Sequence, residues 1–265
     1  MACPPLLRRA AAGVSFAVVS LVGVVPAQAL ELRVLSAGAV EPGLRPALVA
    51  FERNSGHTTQ LTFAGAPVLR SAVAGAPSAD VVVLTEGIID ELSAKGTALG
   101  ARAPIGRVGV GVAIRPDAES PDISSSESLR AALAAADSVV FNRSSSGLYI
   151  ERMLQQIGMA DVVNAKAARE QDGALVMKRL LAGTARREFG FGATTEILLF
   201  RDQGVKLVGP LPAALQNYTR YVALAWPGAP AADPARADAV AALIRHLQSA
   251  EMRALFAKAG IEPAP

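Results

Sequence analysis

Leu32-Arg33-Val34-Leu35-Ser36-Ala37-Gly38-Ala39-Val40 is the stretch whose reading decides the fold. Residues 32–35 make a short apolar β-strand that runs directly into small residues and then into a helix around residues 43–51. A parallel strand that turns through small residues into a helix leaves backbone N–H groups pointing at whatever lies above the strand end. The same grammar recurs downstream. Residues 59–63 alternate polar and apolar, as a half-buried strand does, and Ala64-Gly65-Ala66-Pro67 then opens a helix whose first turn suits Pro67. Residues 79–84 form an apolar run fit for a strand covered on both faces, followed by a helix that stops at Gly96. Three strand–helix units in about 65 residues predict an α/β lobe with a parallel sheet.

Outside this block, composition sets the limits. The chain has 265 residues, 51% apolar and 18% charged, enough for one large domain or two lobes with ample core. Residues 1–29 predict a cleavable export signal: Arg8 and Arg9, a run of Ala and Val about 16 residues long, then Ala27-Gln28-Ala29 as the small-x-small site. That run falls short of the ~20 residues that span a bilayer. Its removal takes Lys plus Arg from 26 to 24 against 23 acidic residues, so the mature chain is close to neutral and offers no nucleic-acid surface. Cys3, the sole cysteine, leaves with the signal, so no disulfide or thiolate metal site is expected. An exported, cysteine-free chain, not embedded in the membrane after cleavage, fits the periplasm.

The second half repeats the pattern with a different entry. Residues 107–115 alternate branched and small side chains, leaving one face of the strand open to another backbone. Ser124-Ser125-Ser126-Glu127 is a capping box for the next helix. A strand over 138–141, a Ser-rich loop over 142–146 and a helix over 147–157 follow. A helix over 174–182, a strand over 188–192, a brief helix after Ala193-Thr194-Thr195-Glu196 and a strand over 205–208 complete the block. Residues 218–226 form a long apolar strand, and Asp233-Pro234 and Ser249 open the last two helices. The long strands near 107–115 and 218–226 bracket a self-contained α/β block, as two connecting strands between two lobes do. The expected division is residues 30–108 with 222–265 as one lobe and 109–221 as the other.

Leu35-Ser-Ala-Gly-Ala-Val40, Ala79-Asp-Val-Val-Val83, Ser146-Gly-Leu-Tyr149 and Val208-Gly-Pro-Leu-Pro212, in this order and with Ser249-Ala-Glu-Met-Arg253 beyond them, resemble the periplasmic solute-binding proteins related to the molybdate-binding component of ABC importers. The resemblance implies a type II periplasmic binding protein fold: an α/β chain in two lobes, with two parallel-type sheets joined by two crossing strands and a ligand cleft between. It implies capture of a small anion such as a molybdate-like oxyanion, held by hydroxyls and helix N-terminal amides, each terminus carrying about half a positive charge. It also implies a monomer that hands its ligand to a membrane permease and its ATPase, with no cofactor and no bound metal ion of its own. The family's hydroxyls fall where this chain has Ala39 and Gly65 or Ala66, and its inward-reaching tyrosine where this chain has Ala193. Those smaller side chains open the cleft for the alternative ligand, a small organic acid bound for uptake or sensing.

The candidate ligand-binding residues are Ser36, Ala37, Gly38 and Ala39 on the first turn, and Gly65 and Ala66 on the second. The Ser-rich loop adds Arg143, Ser145, Ser146 and Gly147, with Arg143 able to grip a carboxylate bidentately. Gly173 is expected as a further amide donor, and Thr194 and Thr195 either donate to the ligand or cap the next helix. His57 and His246 lie far apart with no metal-ligand spacing, and no nucleophile or acid–base pair stands out. The expectation is therefore a binding protein and not an enzyme.

Overall fold

The computed structural model describes Met1 and residues 29–75, 78–227 and 233–263; the expected signal segment lies outside the described residues. The chain opens with β1 (Glu31–Ala37), a 3-10 turn (Gly38–Val40) and α1 (Glu41–Ser55). Next come β2 (Thr58–Ala64), α2 (Ala66–Ala74), β3 (Val81–Thr85) and α3 (Glu86–Ala94). All five residues of β3 are buried, as its continuous apolar run requires between two covered faces. The strands β1, β2 and β3 are parallel with β1 central.

The long strand β4 (Ala103–Ile114) then carries the chain from one half of the molecule to the other. Beyond it lie α4 (Ser126–Ala135), β5 (Ser138–Asn142), α5 (Ser145–Gln156), α6 (Ala160–Asn164), β6 (Ala167–Glu170) and α7 (Gly173–Ala182). These are followed by β7 (Glu188–Ala193), α8 (Thr194–Leu199) and β8 (Lys206–Pro210). The return strand β9 (Tyr218–Ala225) leads to α9 (Pro234–Leu247) and α10 (Ala250–Lys258). The strand order is β2-β1-β3-β9-β4-β7-β5-β6, with β8 paired to β4. Both halves hold parallel strands, but β9, β4 and β8 enter antiparallel, so each sheet is mixed.

The changeover falls within β4. Val108 packs in a core shared with α1, β3, β9 and the last two helices, whereas Val110 packs in a second core with Phe141, Ile150 and Phe191. Between them, the Gln216 side chain accepts from Val110 N–H and donates to Val110 C=O, both at 3.0 Å. A side-chain amide thus stands in for a strand partner where the two halves part. Period-two alternation in β5 feeds both faces of the second sheet: Val139 and Phe141 enter the second core, Val140 a third cluster with Met177 and Leu180.

Two details differ from the sequence expectation. The capping residue of α4 is Ser125, whose hydroxyl accepts from Ser128 N–H at 3.0 Å, so the capping pattern starts one residue later. The pair α6 and β6 was not foreseen; β6 is a four-residue edge strand, half-buried throughout, with no alternation to announce it. His57 accepts from Leu30 N–H and His246 contacts Ala47 C=O, both structural bonds.

Candidate functional site

Six strand ends converge on one cleft, because parallel strands present their C-terminal ends on the same side of the sheet. The turns leaving β1, β2, β3, β5, β6 and β7 all open there, and the cleft has two adjoining compartments. The inner one, about 30 Å³, is lined by Ala37, Gly38 and Ala39, by Ala64, Gly65 and Ala66, by Ser144, Ser145 and Ser146, and by Thr85, Ala193 and Tyr221. The outer one, about 90 Å³, is walled by Phe63, Leu199 and Phe200 together with Glu41, Asp172 and Ala174. Gly38, Ala64, Gly65 and Glu196 border both.

The Ser-rich loop is organised by Asn142, which is buried at the end of β5. Its Oδ1 accepts from Ser144 N–H at 2.9 Å and Gly147 N–H at 3.1 Å, and its amide donates to Ser146 Oγ at 3.1 Å. Those bonds leave the Ser145 and Ser146 N–H groups at the start of α5 without an intrahelical acceptor. Gly147 is where it is for packing: a Cβ there would lie 1.6 Å from Asn142 O.

The halves touch across the cleft. A Cβ on Gly65 would sit 2.7 Å from Ser144 Oγ, and the Thr195 hydroxyl donates to Ala39 C=O at 2.6 Å. Thr195 and Ser36 are fully buried, and Ser36 Oγ turns to Ala37 C=O at 3.1 Å. Neither hydroxyl faces the cavity, contrary to expectation. Arg143 points to solvent and lines neither compartment, because the Asn142-anchored turn carries the chain past it. Thr194 and Gly173 also stand outside the lining; Thr194 packs against Gly111, and Gly173 backs onto a carboxylate.

That carboxylate is Glu196, which the sequence reading passed over. It lies in the first turn of α8, between the 3-10 turn of one half and the start of α7 in the other. A Cβ on Gly173 would fall 2.0 Å from Glu196 Oε2, and one on Gly38 would fall 3.2 Å from Oε1. Only glycine lets the carboxylate occupy this gap. Its pKa is raised to about 7, first because burial strips its water, then because the Asp172 and, more weakly, Glu41 charges repel the anion; the Ala193 N–H offsets part of this. No Lys, Arg or His lines either compartment among the described residues. Tyr221, on the inner wall, has its phenol pushed further above its usual range by burial and by Glu196, so it keeps its proton. Asp172 is occupied in capping α7, accepting from Leu175 N–H at 2.9 Å.

The sequence signal for Glu196 is the Ala193-x-x-Glu196 spacing, the second half of a capping box in which an N3 glutamate reaches back to the helix start. Its placement between Gly38 and Gly173 needs the fold, because those glycines are 135 residues apart in the chain. Chemically, the inner compartment offers amides and serines to an anionic group, the outer one offers apolar walls together with the Glu41 and Asp172 carboxyl groups, and a further ionisable carboxyl borders both.

Comparison with known proteins agrees with this architecture. The chain is 27% identical over 245 residues to an aconitate isomerase from a Pseudomonas species, with 88% of each protein covered. Among solved structures it is similar to the periplasmic molybdate-binding protein of Azotobacter vinelandii, with a TM-score of 0.72 and 17% identity over 88% of this chain and all of that one. It also resembles the sulfate-binding protein of Mycobacterium tuberculosis, with a TM-score of 0.69 and 16% identity over 89% of this chain and 87% of the other. These likenesses establish the two-lobed type II periplasmic binding protein fold. Among the described residues no helix is long and apolar enough to cross a membrane. The bacterial extracellular solute-binding protein profile matches residues 32–262, and the chain belongs to that family.

Proposed function

We propose that the protein captures a small organic acid in the periplasm for an ABC importer, closing residues 30–108 with 222–265 onto residues 109–221. The observation that carries this reading is the two-compartment cleft with Glu196 on its partition. The inner compartment suits one carboxylate, received by the amides of Gly38, Ala39, Ala66, Ser145 and Ser146. The outer compartment, walled by Phe63, Leu199 and Phe200, suits the carbon skeleton. Sulfate, the dianion of a strong acid, has no proton to share with Glu196, and any fully ionised dianion there meets no cation. A carboxylate, whose own pKa lies within a few units of Glu196, can share one. Membership in the family supports delivery to a permease and ATPase, and action as a monomer is part of the same proposal.

A second reading is favoured by the similarity to an aconitate isomerase: the bound acid is unsaturated and is isomerised in the cleft. Both readings share the ligand class. A thermal-shift panel of di- and tricarboxylates, molybdate, tungstate and sulfate tests it. A ligand at 100 times its Kd adds about 2.7 kcal/mol of stability, so carboxylates are expected to raise the Tm and the inorganic oxyanions to leave it flat. A shift with molybdate alone removes the organic-acid reading.

A further inference from the structure

We propose that Glu196 is a catalytic acid–base residue that moves a proton between two carbons of an unsaturated carboxylic acid bound in the cleft. This rests on the organic-acid reading above. Geometry selects Glu196. It borders both compartments, so an acid anchored by one carboxylate in the inner compartment and extending into the outer one must pass it. Its two oxygens lie over Gly38 and Gly173, where any side chain would occupy their space. The competing groups are otherwise engaged. Thr195 donates to Ala39 C=O, Ser146 pairs with Asn142, Asp172 caps α7, and Tyr221 keeps its proton. A carboxyl near 7 is also matched to taking and returning a proton at neutral pH.

The step balances on the ligand and one carboxyl. Ionised Glu196 takes a proton from a saturated carbon beside the double bond. The C–H electron pair becomes the new C=C, and the old π pair moves to the far alkene carbon. That carbon takes the proton back from the Glu196 carboxylic acid. The double bond has shifted, its substituents can settle in either geometry, and nothing has been oxidised or consumed. Charge that spreads onto the anchored carboxylate during the step faces the helix N-terminal amides, which stabilise it without reorganising.

Proton NMR of trans-aconitate in D2O with the purified protein reads this directly, alongside calorimetric titration of the same ligand. The expected result is deuterium entering the CH2 and vinylic positions and the cis isomer appearing. Glu196→Gln should lower that exchange by about 10²- to 10⁴-fold. Calorimetry on the same variant separates the two roles: aconitate heat retained with exchange lost supports proton transfer by Glu196, whereas loss of both assigns Glu196 to binding alone and overturns the catalytic role. Glu196→Asp should restore part of the exchange. The groups facing Glu196, namely Asp172, Glu41, Tyr221 and the Ala193 N–H, are unchanged in these variants. The exchange rate of the parent should rise with pH through about 7. Binding without exchange in the parent overturns the catalytic role and leaves capture standing. Equal exchange in Glu196→Gln overturns the assignment, and no binding at all overturns both this proposal and the reading it rests on.

Discussion

Two acids, one at the end of the first sheet remote from the cleft and one beside the cleft, have opposite surroundings. Asp80 leads into β3 at the end remote from the cleft, with only 3% of its surface exposed. It is fully answered there: Arg33 N–H donates at 2.7 Å and Arg236 Nη1 lies 2.9 Å away. Glu196, at the cleft end, faces two other acids and no cation. A buried charge that is paired and hydrogen-bonded serves the fold, whereas one kept without a counter-charge costs stability and marks a place where function has set the residue. The difference separates the structural ends of the strands from the ends that open on the cleft.

Substitution breaks or sharpens that contrast. Asp80→Ala strands Arg236 and should cost about 3–5 kcal/mol in urea unfolding, with ligand preference unchanged. Glu196→Gln should instead gain stability as pH rises above about 7, because it removes a charge that has no counter-charge. Next in size, Gly147→Ala must push its Cβ into the Asn142 backbone and should lose about 1–3 kcal/mol of stability. Gly173→Ala meets only the movable end of Glu196, so it should spare stability and instead weaken ligand binding or turnover. Thr195→Val removes the bond to Ala39 that crosses the cleft, and should weaken closure by about 1 kcal/mol. Small-angle scattering would register that as a larger ligand-free radius.

A separate effect is on pH dependence. Because the folded-state pKa of Glu196 is raised, its contribution to stability is full below its ordinary value of 4.5 and is lost as pH rises through about 7. Unfolding midpoints measured from pH 4 to 8 should fall less steeply in Glu196→Gln than in the parent. An identical slope would mean that Glu196 is solvated like a surface acid.

The sequence carried most of the architecture, because each strand–turn–helix unit is announced locally by an apolar run, small residues and a cap. The turns at residues 37–39, 65–66 and 145–146 were legible for that reason, and the structure brings all three to one cavity. What was not legible depends on contacts between distant segments. The solvent-facing course of Arg143 is set by Asn142 bonds to Ser144 and Gly147. Burial of the Thr195 hydroxyl depends on Ala39, 156 residues away. Glu196 looked like one more glutamate at a helix start until Gly38 and Gly173 were folded against it. The edge strand β6 escaped because Ala167-Ala168-Arg169-Glu170 carries neither alternation nor β-branched residues.

The central claim is that this cleft selects an organic acid over an inorganic oxyanion. Calorimetric titration of the purified protein with aconitate, citrate, succinate, molybdate and sulfate at pH 7, in two buffers of different ionisation heat, tests it most directly. A carboxylate binding at least about tenfold more tightly than molybdate, a difference of about 1.4 kcal/mol, with proton uptake reported by the buffer dependence, is the predicted result. Tight molybdate binding with no carboxylate heat and no proton uptake would contradict it.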